Sequence, residues 1–148
     1  MDLKIRGRVA LVTGASAGLG EAVALALAAE GVKLAVAARR TDALQSVVDA
    51  SRALGASDAK AYEVDLHDAA AVESLVSRVR SDFGPVEILV ANGGGPKPGA
   101  FSALSLDDWD LAYRNVLRNM LQLVDGVLPA MRENTWGRIV ALTSSSVK

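Results

Sequence analysis

The 148-residue chain contains no cysteine and a single histidine, His67. Without cysteine the chain can form neither disulfide bridges nor thiolate metal sites, and a lone imidazole makes a poor metal ligand. We therefore expect no metal and assign His67 no role. The absence of cysteine is compatible with a reducing cytoplasm.

Long apolar runs and an excess of one charge are missing as well. No stretch approaches the roughly 18 apolar residues that a membrane-spanning helix needs, and the N-terminus has no apolar run of the signal-peptide type. The 16 basic and 17 acidic side chains give a net charge of −1. This balance offers no electrostatic reason to expect nucleic acid or a membrane as partner. A cytoplasmic protein that acts on a small molecule is favoured.

Apolar residues make up 51% of the chain, and short apolar runs alternate with helical stripes. The pattern predicts strands at 8–13, 33–38, 59–64, 86–90 and 138–142. Between them it predicts helices with N-caps at Thr41, Asp68 and Ser105 and with stops at Gly31, Gly55 and Gly84. The last helix is predicted to reach about Glu133, with a kink at Pro129. This is an α/β pattern, a doubly wound parallel sheet with helices on both faces, in one domain over residues 1–148.

A glycine-rich turn, Thr13-Gly14-Ala15-Ser16-Ala17-Gly18-Leu19-Gly20, joins the first strand to the first helix. Glycines there let a pyrophosphate reach backbone N–H groups at the positive end of a helix; a tight turn without a ligand is the alternative. The spacing Gly-x-x-x-Gly-x-Gly in this context resembles the short-chain dehydrogenase/reductase family, along the whole chain. The resemblance implies a Rossmann-like NAD(P)-binding domain in which Gly14, Ser16, Gly18, Leu19 and Gly20 hold the phosphates.

The resemblance also implies which nicotinamide cofactor is bound. Family members that prefer NAD carry an acidic residue at the end of the second strand, where this chain has Ala38 followed by Arg39 and Arg40. Guanidinium groups suit a 2′-phosphate, so NADP(H) is expected rather than NAD(H). Two solvated arginines are the alternative. Asp65 and Leu66 match the family's adenine-binding pair, although an ordinary strand-terminal Asp fits the same position.

Two family motifs are altered. The Asn-Asn-Ala-Gly sequence after the fourth strand is Ala-Asn-Gly-Gly here, and the resemblance places its Asn92 and Gly93 beside the nicotinamide ribose. Val116 stands where the family has a catalytic-site Asn. Asn115 and Asn119 face other directions on a helix, and we interpret both as ordinary helix or interface residues. These departures resemble a divergent bacterial branch, 3-oxoacyl-acyl-carrier-protein reductase-like, in which the usual catalytic Tyr can be missing.

Ser144 matches the family's serine that hydrogen-bonds the substrate carbonyl, although a serine cluster at a strand end is also a common turn. The family's Tyr-x-x-x-Lys pair would follow about a dozen residues later, and neither Tyr62 nor Tyr113 lies in such a pattern. We therefore expect a longer reductase truncated after about strand five. A natural short form that binds nucleotide without chemistry is the alternative.

The favoured function is an NADP(H)-dependent oxidoreductase that moves hydride between the nicotinamide and a small-molecule carbonyl or secondary alcohol. The 148-residue chain alone is expected to be inactive. One alternative is a nucleotide-binding or sensor module without catalysis, and another is an interaction protein with an empty glycine turn. Because the long helix commonly forms the dimer interface in this family, a homodimer or homotetramer through Leu106–Met131 is expected; a stripe that only packs on the core fits equally well.

Overall fold

The computed structural model describes residues 2–143. Five parallel strands form one sheet in the order β3-β2-β1-β4-β5. The strands are β1 Val9–Thr13, β2 Lys33–Ala38, β3 Asp58–Glu63, β4 Ile88–Ala91 and β5 Arg138–Ala141. All five were predicted, with boundaries that shift by no more than two residues. The chain places β2 and β3 on one side of β1, then crosses back to place β4 and β5 on the other.

Helices connect the strands and cover both faces of the sheet. They are α1 Gly18–Ala29, α2 Thr41–Leu54, α3 Ala69–Phe83, α4 Leu106–Ala112 and α5 Asn119–Glu133, with a short 3₁₀ turn at Phe101–Ala103 and a π-helical segment at Tyr113–Arg118 between α4 and α5. Within residues 2–143, none of these helices is both long and apolar enough to cross a membrane.

Alternate residues of each central strand point to opposite faces and build two apolar layers. On one face Val12, Val36 and Val90 pack with α1 and α2; on the other Leu11, Ala35 and Leu89 pack with α3 and α5. Every residue of β1 and β4 is buried, because helices cover both sides. The predicted doubly wound α/β fold is thus confirmed for the part of the chain described.

The predicted helix caps are confirmed at Asp68 and Gly55 and wrong at Thr41. The Asp68 carboxylate accepts hydrogen bonds from the backbone N–H groups of Ala70 and Ala71, and Gly55 ends α2 in the left-handed conformation that favours glycine. The N-cap is instead Arg40, and Thr41 is the first residue of α2. The Thr41 hydroxyl donates to the Glu63 carboxylate, 3.3 Å away, and does not cap the helix.

The helix that follows Ser105 is interrupted by a π segment that the sequence did not predict. Ser105 caps it as expected, in a reciprocal pair of hydrogen bonds with Asp108. The regular α-helix gives way to a π segment at Tyr113–Arg118, whereas α5 continues through Pro129 to Glu133. The π segment lies beside the carboxyl end of the sheet, where Asn115 is near Gly93.

Candidate nucleotide-binding site

A cleft of about 580 Å³ opens where β1, β2 and β3 end. It lies next to the point where the strand order reverses, between β1 and β4, which is where open α/β sheets bind their ligands. Its walls come from the glycine turn, the end of β2, the segment after β3 and the loop after β4: Gly14, Ser16, Ala38, Arg39, Arg40, Val64, Asp65, Leu66, His67 and Gly94. Six of these ten residues were predicted site residues, and Ala38 is the position where family members that prefer NAD carry an acidic residue. Val64, His67 and Gly94 were not predicted to belong to the site.

The glycine turn is closely packed at its two ends and open in the middle. A Cβ on Gly14 would lie 2.6 Å from the carbonyl oxygen of Asn92, and one on Gly20 would lie 2.7 Å from the Asn92 side-chain nitrogen. A Cβ on Gly18 would meet nothing within 4 Å, although the φ of +59° disfavours other residues there. Gly18 is also the first residue of α1. Open space therefore lies above the positive end of a helix, as a phosphate would require.

Asn92 and Thr13 join the carboxyl ends of β4 and β1. The backbone N–H of Asn92 donates to the Thr13 hydroxyl oxygen at 3.0 Å, and the side-chain amide of Asn92 donates to the Gly14 carbonyl at 3.2 Å. The Thr13 hydroxyl in turn donates to the Asn92 carbonyl, 3.0 Å away. The sequence placed Thr13 at the start of the glycine-rich turn but predicted no individual role for it. Its signal in the sequence is a buried polar residue at the end of an apolar strand.

The end of β2 contributes positive charge to the cleft. Arg39 and Arg40 both line it and both are exposed, whereas Ala38 is buried. One Arg40 guanidinium nitrogen donates to the carbonyl and the hydroxyl oxygen of Ser16, each at 3.2 Å. This contact holds the cation of Arg40 against the glycine turn. An anionic group in the cleft would therefore meet two guanidinium groups and no carboxylate at the end of β2.

The segment after β3 forms the opposite wall. The Asp65 carboxylate accepts a hydrogen bond from the backbone N–H of His67 at 3.0 Å, so Asp65 organises the turn that Leu66 occupies. The His67 imidazole is half exposed, with its Nδ1 4.0 Å from the Asp65 carboxylate. His67 was expected to have no role because a lone imidazole makes a poor metal ligand; no local pattern in the sequence shows that it lines the same cleft as Arg39 and Arg40.

Behind this wall lies Asn119, which the sequence indicated to be an ordinary helix or interface residue. Asn119 is only 6% exposed, and its side-chain amide donates to the carbonyl oxygens of Asn115 and Leu66. It is thus committed to contacts inside the molecule. Val116, in the position where the family has Asn, is 44% exposed on the π segment.

The remaining predicted site residues that the structure describes do not line the cleft. Leu19 is 70% exposed at the start of α1, and Gly93 lies in the loop after β4 next to Asn115. Ser144 lies outside the described residues. Across residues 2–143, no three acidic or histidine side chains are grouped as a metal site.

A family model described as short chain dehydrogenase matches residues 8–148. This chain belongs to that family. It is 32% identical over 142 residues to 2,3-dihydro-2,3-dihydroxybenzoate dehydrogenase of Bacillus subtilis, covering 96% of this chain and 54% of that protein. It is 33% identical over 142 residues to 3-oxoacyl-acyl-carrier-protein reductase FabG of Escherichia coli, covering 96% and 57%.

The solved structures of the family confirm the fold. The L-sorbose reductase from Gluconobacter frateurii, in complex with NADPH and L-sorbose, superposes with a TM-score of 0.88 at 30% identity, over 95% of this chain and 54% of that one. The chain therefore has the Rossmann-like architecture of its relatives, and it spans about half the length of the curated relatives it matches.

Proposed function

We propose that this chain is the nucleotide-binding part of an NADP(H)-dependent oxidoreductase of the cytoplasm. The reaction would move hydride between the nicotinamide, which supplies the redox chemistry, and a small-molecule carbonyl or secondary alcohol. The observation that supports NADP(H) most directly is the pair Arg39 and Arg40 in the cleft, beside Ser16 and next to the buried Ala38.

Different residues of the glycine turn and the cleft would bind different parts of the nucleotide. The open space at Gly18, above the start of α1, suits the pyrophosphate, while Gly14 and Gly20 keep the turn compact enough to present its N–H groups. Arg39 and Arg40 would pair with a 2′-phosphate, because a guanidinium can donate two hydrogen bonds to phosphate oxygens. Asp65 and Leu66 would then border the adenine.

The nicotinamide end lies on the other side of the turn. Gly93 and Gly94 follow β4 and leave room beside the ribose, whereas the Asn92 side chain supports the turn through Gly14. Ser144, by its match to the family serine, would donate a hydrogen bond to the substrate oxygen. A second candidate function is a module that binds the nucleotide without catalysis. Val116 favours it, because valine cannot make the hydrogen bonds of the Asn that the family has at this position.

We also propose that the protein forms a homodimer or homotetramer through the long helix. Large apolar side chains remain at least 43% exposed along α4, the π segment and the start of α5: Leu106, Trp109, Leu111, Tyr113, Val116, Leu117 and Leu121. Exposed large apolar side chains concentrated in one segment of the chain are typical of an interface. Sedimentation equilibrium should give an oligomer that Leu117→Glu weakens; a wild-type chain that stays monomeric at high concentration would contradict the proposal.

The cofactor proposal is tested by titrating the wild-type chain with NADPH and NADH and following nicotinamide fluorescence. We expect NADPH to bind more tightly, since each charge-assisted hydrogen bond to the 2′-phosphate contributes about 1.5–3 kcal/mol. Arg39→Ser and Arg40→Ser should each weaken NADPH binding by about tenfold or more and leave NADH nearly unchanged. Arg132→Ser, an exposed arginine at the end of α5, is the control. Equal affinity for the two nucleotides would overturn the NADP(H) assignment.

A further inference from the structure

Asn119, the first residue of α5, connects its own helix to a segment 53 residues earlier in the chain. Its side-chain nitrogen lies 2.6 Å from the carbonyl oxygen of Asn115 and 3.3 Å from that of Leu66, and donates to both. The residue is 6% exposed. A buried amide that uses both of its N–H groups on main-chain acceptors is fixed in place, because any movement would leave buried polar groups without partners.

The π segment explains why an asparagine side chain can make these contacts. In an α-helix the carbonyl of Asn115 would accept a hydrogen bond from the backbone N–H of Asn119. In the wider π turn, backbone hydrogen bonds run to the fifth residue, and the side chain of Asn119 donates to the Asn115 carbonyl instead. Its second N–H is then free to reach Leu66, across the space between the helix and the segment after β3.

Two sides of the nucleotide cleft lie near this amide. Leu66 lines the cleft on the adenine side, and Gly94 lines it on the side of the loop after β4. A Cβ placed on Gly93 would lie 3.6 Å from the Asn115 carbonyl oxygen and 4.0 Å from the Asn119 side-chain nitrogen. The Gly93 backbone therefore lies beside the Asn115–Asn119 pair, at a spacing that a single methyl group would fill, while the Leu66 carbonyl is hydrogen-bonded to Asn119.

We propose that Asn119 is a positioning residue that sets the distance between the Leu66 wall of the cleft and the Gly93–Gly94 loop, whose Gly94 lines the cleft. The inference rests on the proposed function, because it concerns the site in which the dinucleotide would lie. A ligand that spans both walls binds well only when their spacing is held beforehand, since otherwise binding must restrain them. A ligand that contacts one wall can follow that wall as it moves.

The test compares NADPH, which would span the cleft, with adenosine 2′,5′-bisphosphate, which would occupy only its adenine end. Asn119→Ala should weaken NADPH binding by about tenfold, the loss expected for one hydrogen bond of typical net contribution, while the bisphosphate changes by less than about threefold. Gln122→Ala is the matched control. Gln122 lies on the same helix and donates to the Ala69 carbonyl at 3.3 Å, at the start of α3 and outside the cleft, so its loss should affect neither ligand.

Asn119→Ser separates the two hydrogen bonds of Asn119. A helical serine can donate to the carbonyl four residues earlier, here Asn115, but its short side chain cannot reach Leu66. We expect this variant to stay folded and to bind NADPH more weakly than the wild type does. Wild-type NADPH affinity in Asn119→Ser or Asn119→Ala, or an equal loss for both ligands, would overturn the inference.

Amide hydrogen exchange of the nucleotide-free chain gives a second measurement that does not depend on the proposed function. With Asn119→Ser, backbone amides at 65–67 and 92–94 should exchange faster than in the wild type and in Gln122→Ala. If the wild-type chain bound neither ligand, the proposed function would fail, and the exchange rates would still decide whether Asn119 holds the two walls. Unchanged exchange at both segments would contradict the inference.

Discussion

The glycine turn gives the sharpest mutational test, because two of its glycines are needed for different physical reasons. In Gly20→Ala the new Cβ would overlap the Gly14 carbonyl oxygen, would lie 2.8 Å from the Gly14 carbonyl carbon and would lie 2.7 Å from the Asn92 side-chain nitrogen. Ordinary contacts between carbon atoms are about 3.5 Å. The turn must therefore move away from α1, and the hydrogen bond from Asn92 to Gly14 is lost as it does so.

The expected cost follows from these two effects. Overpacking of a well-packed site destabilises by about 1–3 kcal/mol, and loss of the hydrogen bond adds about 1 kcal/mol. We expect Gly20→Ala to lower the free energy of unfolding by about 3 kcal/mol. In a chain of this size that corresponds to a fall in melting temperature of about 6–12 °C.

Gly18→Ala should behave in the opposite way. Its Cβ would meet no atom within 4 Å, so the folded chain bears only the cost of a left-handed alanine, about 1–2 kcal/mol. The methyl group would, however, occupy the open space at the start of α1 where the pyrophosphate is proposed to lie. We expect a small loss of stability together with a large loss of NADPH affinity.

Urea and thermal unfolding, followed by circular dichroism, give the stabilities of the two variants, and calorimetric titration with NADPH at a temperature where both are folded gives their affinities. A Gly20→Ala chain as stable as the wild type would refute the close packing of Gly20 against Gly14 and Asn92. A Gly18→Ala chain that bound NADPH like the wild type would refute the placement of the pyrophosphate.

Two further predictions concern stability away from the cleft. Burial, followed by the hydrogen bond to Asp82, raises the pKa of the Tyr62 hydroxyl. Its stabilising contribution is therefore fully present below the ordinary tyrosine pKa near 10 and is lost as the pH rises above it, by up to about 1.4 kcal/mol per pH unit. The unfolding free energy of the wild type should fall relative to that of Tyr62→Phe between pH 10 and 11 by about 1 kcal/mol; parallel curves would show that Tyr62 titrates normally. Asp68→Ala removes the N-cap of α3 and should cost about 1 kcal/mol in urea unfolding, whereas an unchanged midpoint would mean that the cap is not needed.

Local patterns in the sequence predicted the features that neighbouring residues determine. The strand β2 is found at Lys33–Ala38 as predicted, and Gly55 ends α2, because apolar runs and helix stops depend on residues within a few positions of one another. The glycine turn was predictable for the same reason. Its packing partner was not, because Asn92 lies 78 residues beyond Gly14 in the chain.

The contacts that shape the cleft walls join residues that are distant in sequence. Asn119 reaches Leu66 across 53 residues, and its amide is matched to a π segment that no helical periodicity indicates. His67 lines the cleft only because the segment after β3 turns toward the end of β2. Thr41 shows the same limitation on a smaller scale. Its hydroxyl contacts Glu63, which lies at the end of the neighbouring strand, instead of capping its own helix.

The central claim is that this cleft binds a nucleotide with a 2′-phosphate. Calorimetric titration of the wild-type chain with adenosine 2′,5′-bisphosphate and with adenosine 5′-monophosphate tests it most directly, because the two ligands differ only in that phosphate. We expect the bisphosphate to bind at least about tenfold more tightly and to lose this advantage when Arg39 and Arg40 are both replaced by serine. Equal affinity of the wild-type chain for the two ligands would contradict the claim.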